Sequence, residues 1–113
     1  MTNPRPDVND EDIGMRAFAL RRASAVERAV ERIRHALGHR WDHFTTHEIE
    51  ELEWVLGEMW SYVAREEWDE LRFGHLTLDD LRQIIAHGRE IREHTRNTVD
   101  ALNDVRAIVT SKS

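Results

Sequence analysis

The stretch that decides the fold is residues 77–110, TLDDLRQIIAHGREIREHTRNTVDALNDVRAIVT. Its apolar and small residues recur at alternating steps of three and four, the heptad spacing that keeps side chains on one face of an α-helix. These positions are Leu81, Ile84, Gly88, Ile91, Thr95, Thr98, Leu102, Val105 and Val109. The seam predicts one long C-terminal helix, roughly 45 Å in length at 1.5 Å per residue.

Two amphipathic helices are predicted before this seam, each with its own start and stop signals. Gly38 predicts the end of the first helix, and Gly74 predicts a break after a second helix that ends near residues 71–74. Each helix start has a capping residue followed three positions later by an acid. These pairs are Asn9 with Asp12, Thr45 with Glu48, and Thr77 with Asp80.

The predicted architecture is therefore all-α, a three-helix up-down-up bundle with a long C-terminal helix. No stretch has the alternating pattern of a strand. Residues 11–110 form a single helical-bundle domain, and residues 1–10, which are polar and hold both prolines, form a disordered N-terminal tail.

The length of the last helix suggests that the bundle is oligomeric. The two earlier helices would be shorter, so part of the seam would lack an intrachain partner and could pair with another chain. The expected oligomer seam is Gly88, Ile91, Thr95, Thr98 and Leu102. The alternative is that its small side chains simply oppose a bulky ring within one chain.

Four tryptophans in 113 residues are many for a small bundle, and three of them fall on the predicted second helix. They do not belong to the apolar stripe of that helix, so a monomer would expose them. Trp, Tyr and Arg are enriched where proteins bind one another. We expect partner binding through Trp54, Trp60, Arg65 and Trp68, the alternative being that the rings wrap the edges of the core.

Composition excludes several classes of function. The net charge of −6 argues against nucleic acid as a partner, because binding to phosphates needs a positive face. Without cysteine there is no disulfide framework and no thiolate nucleophile. The apolar runs are too short to span a membrane, and the N-terminus lacks the layout of a signal peptide. These features favour a cytoplasmic protein.

The acidic charge is concentrated in the middle of the chain. Residues 38–76 carry ten acids against three arginines, whereas residues 11–37 carry six arginines against four acids. The arginine-bearing first helix could lie against the acidic second one.

A carboxylate–histidine metal site is a second possibility. His47 and Glu51 are one turn apart on the second helix, and His87, Glu90 and His94 share a face of the third. Such groups can bind a divalent metal in the core of a bundle. The alternative is that these are surface histidines on a helix flank.

The carboxylates alone suggest another enzyme. Glu66, Glu67 and Glu70 spell EExxE, and Glu90 and Glu93 spell ExxE about 20 residues later. The pattern resembles the all-α nucleotide pyrophosphohydrolases of the MazG type, with Glu93 where that family has Asp. The resemblance covers these five residues and implies Mg²⁺-dependent attack on a nucleotide.

The function favoured by the sequence is a small acidic helical protein–protein interaction module without a cofactor. It would act as an adaptor, an assembly subunit or an inhibitor, binding another protein, itself, or both. The alternative is a metal-dependent helical-bundle enzyme that uses either the carboxylate–histidine site or the MazG-like carboxylates.

Overall fold

The computed structural model describes the backbone of residues 10–111 and the side chains of Arg21 and residues 23–111. All regular secondary structure in this range is helical, which confirms the all-α prediction. The α-helices are α1 (Asp10–Leu37), α2 (Thr46–Tyr62), α3 (Arg65–Glu70), α4 (Leu78–Arg92) and α5 (Thr98–Thr110), with a 3₁₀ helix (Gly38–His43) between α1 and α2. Residues 1–9 of the predicted tail and the Asn9 cap lie outside the described residues.

The first helix ends where Gly38 takes a left-handed backbone conformation, with φ of 55°. Glycine adopts this conformation without steric cost, so it stops helices effectively. The side chain of Arg40 then donates hydrogen bonds to the carbonyls of Leu37 (2.9 Å), Gly74 (2.6 Å) and Leu76 (2.5 Å). One guanidinium thereby ties the end of α1 to the loop that precedes α4.

The predicted second helix is shorter than expected. The Thr45–Glu48 capping box begins α2 as predicted, but the helix ends at Tyr62 and a separate short helix, α3, follows. Val63 is extended and buried, and Arg65 donates hydrogen bonds to the carbonyls of Trp60 and Val63. These side-chain bonds satisfy carbonyls that a helix end leaves without partners.

The predicted long C-terminal helix is wrong, because the chain turns back at residues 93–97. His94 is left-handed, with φ of 57°, and the Thr95 N–H donates to the Glu90 carbonyl at 3.0 Å. This is the Schellman arrangement that closes helix ends. Asn97 then caps α5 by accepting hydrogen bonds from the backbone N–H groups of Val99 and Asp100. The Thr77–Asp80 capping box at the start of α4 is confirmed.

Helix α2 lies at the centre of the fold and packs against α1, α4 and α5, while α4 and α5 pair as a hairpin. The predicted three-helix arrangement therefore gives way to four longer helices plus the short α3. The core includes Leu52, Val55, Leu56 and Met59 of α2, all fully buried. It also takes in Trp41 and Phe44 from the connection after α1.

The surface of the described part of the chain exposes few large apolar side chains. Tyr62 and Val99 are the most open, at 39% and 46%. The Tyr62 hydroxyl also donates a hydrogen bond to Asn103 Oδ1 at 3.1 Å, which joins α2 to α5. No helix in the described range is long and apolar enough to cross a membrane.

The close contact between α4 and α2 at Gly88 can be tested by adding a side chain there. A Cβ atom added at Gly88 would lie 2.9 Å from the Val55 Cβ, too near for both backbones to stay in place. We expect Gly88→Ala to lower the free energy of unfolding by about 1–3 kcal/mol, despite the higher helix propensity of alanine. Urea denaturation measures the change.

The matched control is Gly57→Ala, where the added Cβ would lie 3.1 Å from a methyl of half-exposed Val26. That methyl can move, so the loss should be smaller. An equal or greater loss in the control would contradict the tight α2–α4 contact.

Candidate functional site

A groove of about 340 Å³ runs between α1 and α2 on the outside of the bundle. Its apolar lining comes from Val26 and Trp54, which are half-buried, and from Val30, which is buried. Three carboxylates surround that surface, from Glu27, Glu50 and Glu53. An open apolar strip bordered by charge is the arrangement typical of a docking surface for a protein segment.

Trp54 is held in place from the side facing α4. Its ring is half-buried and packs against the core, and the guanidinium carbon of Arg92 lies 5.0 Å from the ring centroid. That distance is typical of a cation–π contact. The ring is therefore oriented by Arg92, and part of its surface is open in the groove.

A second tryptophan–arginine pair lies further along α2. The guanidinium carbon of Arg65 is 3.8 Å from the centroid of the half-buried Trp60 ring. Trp60 follows Glu53 by seven residues, so the two share a face of the helix. The acidic groove and this pair therefore form one continuous side of α2.

Trp68, the third tryptophan predicted to bind a partner, lies in the core instead. Trp68 is 4% exposed, and the centroid of its ring lies 5.5 Å from that of Phe73. The prediction placed Trp68 on the same helix as Trp54. The extended residues Val63 and Ala64 instead separate the two helices and change the direction of the chain, so that Trp68 points inward. In this structure Trp68 stabilises the fold and is not part of the open surface.

The predicted oligomer seam is mostly covered by the chain itself. Gly88, Ile91 and Leu102 are buried, with Gly88 against Val55 of α2. Thr95 and Thr98 are exposed at the turn between α4 and α5. Because the helix is broken there, the two halves of the seam face the same core within this chain.

The predicted metal ligands are distributed over separate pairs. Within the described residues, no group of three His, Asp or Glu side chains could hold a metal ion. His47 lies 3.5 Å from Glu51, His87 lies 2.7 Å from Glu90, and His94 is exposed in the turn. Each carboxylate also has an arginine beside it, and that positive charge opposes the binding of a cation.

The ion pair at Glu51 links α2 to α4. Arg89 donates two hydrogen bonds to this buried carboxylate, Nε to Oε2 at 2.6 Å and Nη2 to Oε1 at 2.8 Å. Such forked pairing is stronger and more directional than a single contact. These hydrogen bonds hold the pKa of Glu51 below its ordinary value, against the opposing effect of burial.

The MazG-like carboxylates are not gathered into a site either. Glu66 and Glu70 are exposed on α3, whereas Glu67 pairs with Arg106 of α5 at 3.1 Å. Glu90 faces His87 and lies 3.7 Å from Arg96. No metal-holding group of these acids exists among the described residues.

The predicted contact between the basic first helix and the acidic middle of the chain is present but weak. Arg32 lies 3.8 Å from Asp69, with both side chains largely exposed. Arg34 lies over the Trp41 ring instead, at 5.8 Å from its centroid. Exposed ion pairs of this kind contribute little to stability.

The groove residues other than Trp54 were not predicted as site residues. Their juxtaposition depends on how α1 crosses α2, for which the sequence holds no local signal. The usable hint was Trp54, an aromatic residue outside the core stripe.

The Glu51–Arg89 pair makes the stability depend on pH. A carboxyl whose pKa is lowered by folding stabilises the protein above its ordinary value of 4.5, and this contribution is lost as the pH falls through the lowered pKa. We expect Glu51→Gln to unfold more easily than the unmodified protein at pH 7, with the difference shrinking below pH 4.5. Urea denaturation at several pH values measures it.

The control is Glu70→Gln, which removes an exposed carboxyl. It should leave the pH profile of the unmodified protein nearly unchanged. A Glu51→Gln difference that stays constant from pH 7 to pH 3 would contradict the assigned role of Arg89.

Comparison with known proteins yields no relative of this chain. No protein-family model matches it, and no curated protein or solved structure is significantly similar to it. The groove, its charges and its two arginine-stacked tryptophans are therefore the starting points for the function.

Proposed function

We propose that this chain is a small acidic helical module for protein–protein interaction, and that the groove between α1 and α2 is its docking surface. The observation that carries the proposal is the half-exposed Trp54 ring lying in an apolar groove bordered by Glu27, Glu50 and Glu53. The partner that fits this chemistry is an amphipathic segment with an apolar anchor flanked by Lys or Arg.

The apolar part of the groove would supply the affinity. A partner side chain placed against Val26 and Trp54 removes apolar surface of both chains from water, which is favourable by about 25 cal/mol per Å². Tryptophan offers a large contact area and has few rotatable bonds to immobilise. Because Arg92 already orients the Trp54 ring, little further freedom is lost on binding.

The carboxylates would make binding selective for basic segments and would raise the rate of association. They border the groove in a chain with a net charge of −6, so a basic segment is attracted and an acidic one repelled. The Trp60–Arg65 pair extends the surface along α2 and adds one positive charge at its end. A partner with an acid at the matching position would bind in one direction only.

These features suit an adaptor, an assembly subunit or an inhibitor. Each would act inside the cell by binding a basic helical segment of another protein. An enzymatic role has no comparable support. The candidate carboxylates and histidines lie in separate pairs, and several of them are paired with arginine.

The docking surface can be tested with a designed amphipathic Leu/Lys helical peptide, with a Leu/Glu peptide of the same length as the control ligand. We expect the basic peptide to bind and the acidic one not to bind. The Trp54 indole N–H signal should shift on binding in ¹H–¹⁵N NMR spectra. Trp54→Ala should weaken binding by at least about tenfold, as expected for a central aromatic anchor.

Two matched double variants separate the groove from general charge attraction. Glu50→Gln with Glu53→Gln removes two charges at the groove, and Glu66→Gln with Glu70→Gln removes two exposed charges on α3. We expect only the first pair to weaken binding strongly in calorimetry. Equal losses in both pairs, or no effect of Trp54→Ala, would show that this groove is not the docking surface.

A further inference from the structure

The turn between α4 and α5 is made of residues that are compatible with a helix. It reads Glu93, His94, Thr95, Arg96 and Asn97, without glycine or proline. His94 nevertheless adopts a left-handed backbone conformation, with φ of 57°. Residues with a Cβ atom adopt this conformation at a steric cost, which is why glycine is usual at this position of a helix end. The bend is therefore strained where the sequence could simply continue the helix.

The apolar pattern does continue through the bend. Leu81, Ile84, Gly88 and Ile91 on α4 keep the heptad register with Leu102, Val105 and Val109 on α5. If residues 93–97 became helical, one straight helix would carry the whole stripe along a single face. Its second half would then point away from its own α2, and the buried stripe of α5 would lose its cover.

A second copy of the chain supplies the same cover. The contacts that α5 makes with the rest of its own chain do not depend on which chain the helix comes from. They include Tyr62 with Asn103, Arg106 with Glu67, and His75 with the Val109 carbonyl, together with the core residues of α5. Two straightened chains that exchanged α5 would re-form these contacts across the pair.

The side-chain contacts that hold the bend closed are partly exposed. Arg96 bridges the two helices, at 3.7 Å from Glu90 and 2.5 Å from Asp104, and its Nη1 lies 3.3 Å from His87 Nδ1. In a straight helix Arg96 and Asp104 would be eight residues apart, a rise of about 12 Å, so this ion pair would break. Arg96 would then face Asp100 one turn away, in a spacing that favours opposite charges.

We propose that two copies of this chain form a dimer by exchanging α5, through straightening of residues 93–97 into one α4–α5 helix. Domain exchange is favoured by an element that packs well, a connection able to extend and a strained closed form. Helix α5 and the bend at His94 meet these conditions. The inference goes beyond the proposed docking groove, which lies between other helices and would remain open in either form.

Variants at the bend shift the balance in opposite directions. His94→Gly relieves the left-handed conformation and weakens a straight helix, so it should lower the dimerisation constant by at least about tenfold. The double variant His94→Ala with Asn97→Ala removes the cap of α5 and favours a helical conformation of residues 93–97. It should therefore raise the dimerisation constant. Native mass spectrometry over a wide range of protein concentrations measures both, and circular dichroism checks that helix content is retained.

A distance measurement distinguishes exchange from side-by-side docking. The chain has no cysteine, so spin labels can be placed at Gln83→Cys and Ala107→Cys, both exposed and at equal sequence distance from Thr95. In the hairpin these positions lie on neighbouring helices. In one straight helix they would be about 36 Å apart. Dimers assembled with a large excess of unlabelled chain report the distance within a single chain.

The expected result is a dimer fraction whose intrachain distance is about 36 Å. That fraction should shrink in His94→Gly and grow in the alanine pair. A dimer with the short hairpin distance would overturn the proposal in favour of surface docking. A chain that stays monomeric at every concentration, even with the alanine pair, would overturn it as well.

Trp54→Ala should leave the dimerisation constant unchanged, so failure of the docking groove and failure of this exchange are distinguishable. Arg96→Ala should favour exchange, because it removes the bridge to Asp104. Arg28→Ala, which changes an exposed residue on α1, is its control.

Discussion

The close approach of α2 and α4 at Gly88 is the contact on which most of the structure depends. Since Gly88 has no side chain, its backbone lies directly against Val55, and the two helices come near enough for their flanking side chains to meet. Arg89, the next residue, reaches the buried Glu51 and forms a forked ion pair. One turn later, Arg92 reaches the Trp54 ring. Core packing, the interhelix ion pair and the orientation of the groove tryptophan thus follow from one small residue.

This chain of contacts links stability to the proposed function. The groove lies between α1 and α2 beside Val26 and Trp54, and Arg92 of α4 supports the Trp54 ring from behind. Arginine serves in three places where a lysine would fit poorly: the fork on Glu51, the stack on Trp60, and the carbonyl contacts of Arg40. Each uses the planar, multiply donating guanidinium. The many arginines of the chain are therefore structural in part.

The failed prediction of a long C-terminal helix is informative. A heptad pattern indicates which residues share a helix face. It does not distinguish a straight helix from two helices that fold back on each other, because both arrangements bury the same stripe. Leu102 and Val105 are buried against the core of their own chain by the bend at His94. Asn97, which caps α5, is a local feature of the break that the predicted heptad seam did not take into account. The continuous spacing is compatible with both a bent and a straight chain, and exchange of α5 rests on the same ambiguity.

The sequence by itself determined the helical content and the starts of α2 and α4, because these depend on interactions within a few residues. The capping boxes at Thr45 and Thr77 and the stop at Gly38 are local hydrogen-bonding and backbone preferences. Only the tertiary structure decided that Trp68 turns into the core, that Glu51 pairs with Arg89, and that Glu27 comes to face Glu50 and Glu53 across a groove. These depend on the crossing of helices far apart in the chain, for which no short-range pattern carries the information.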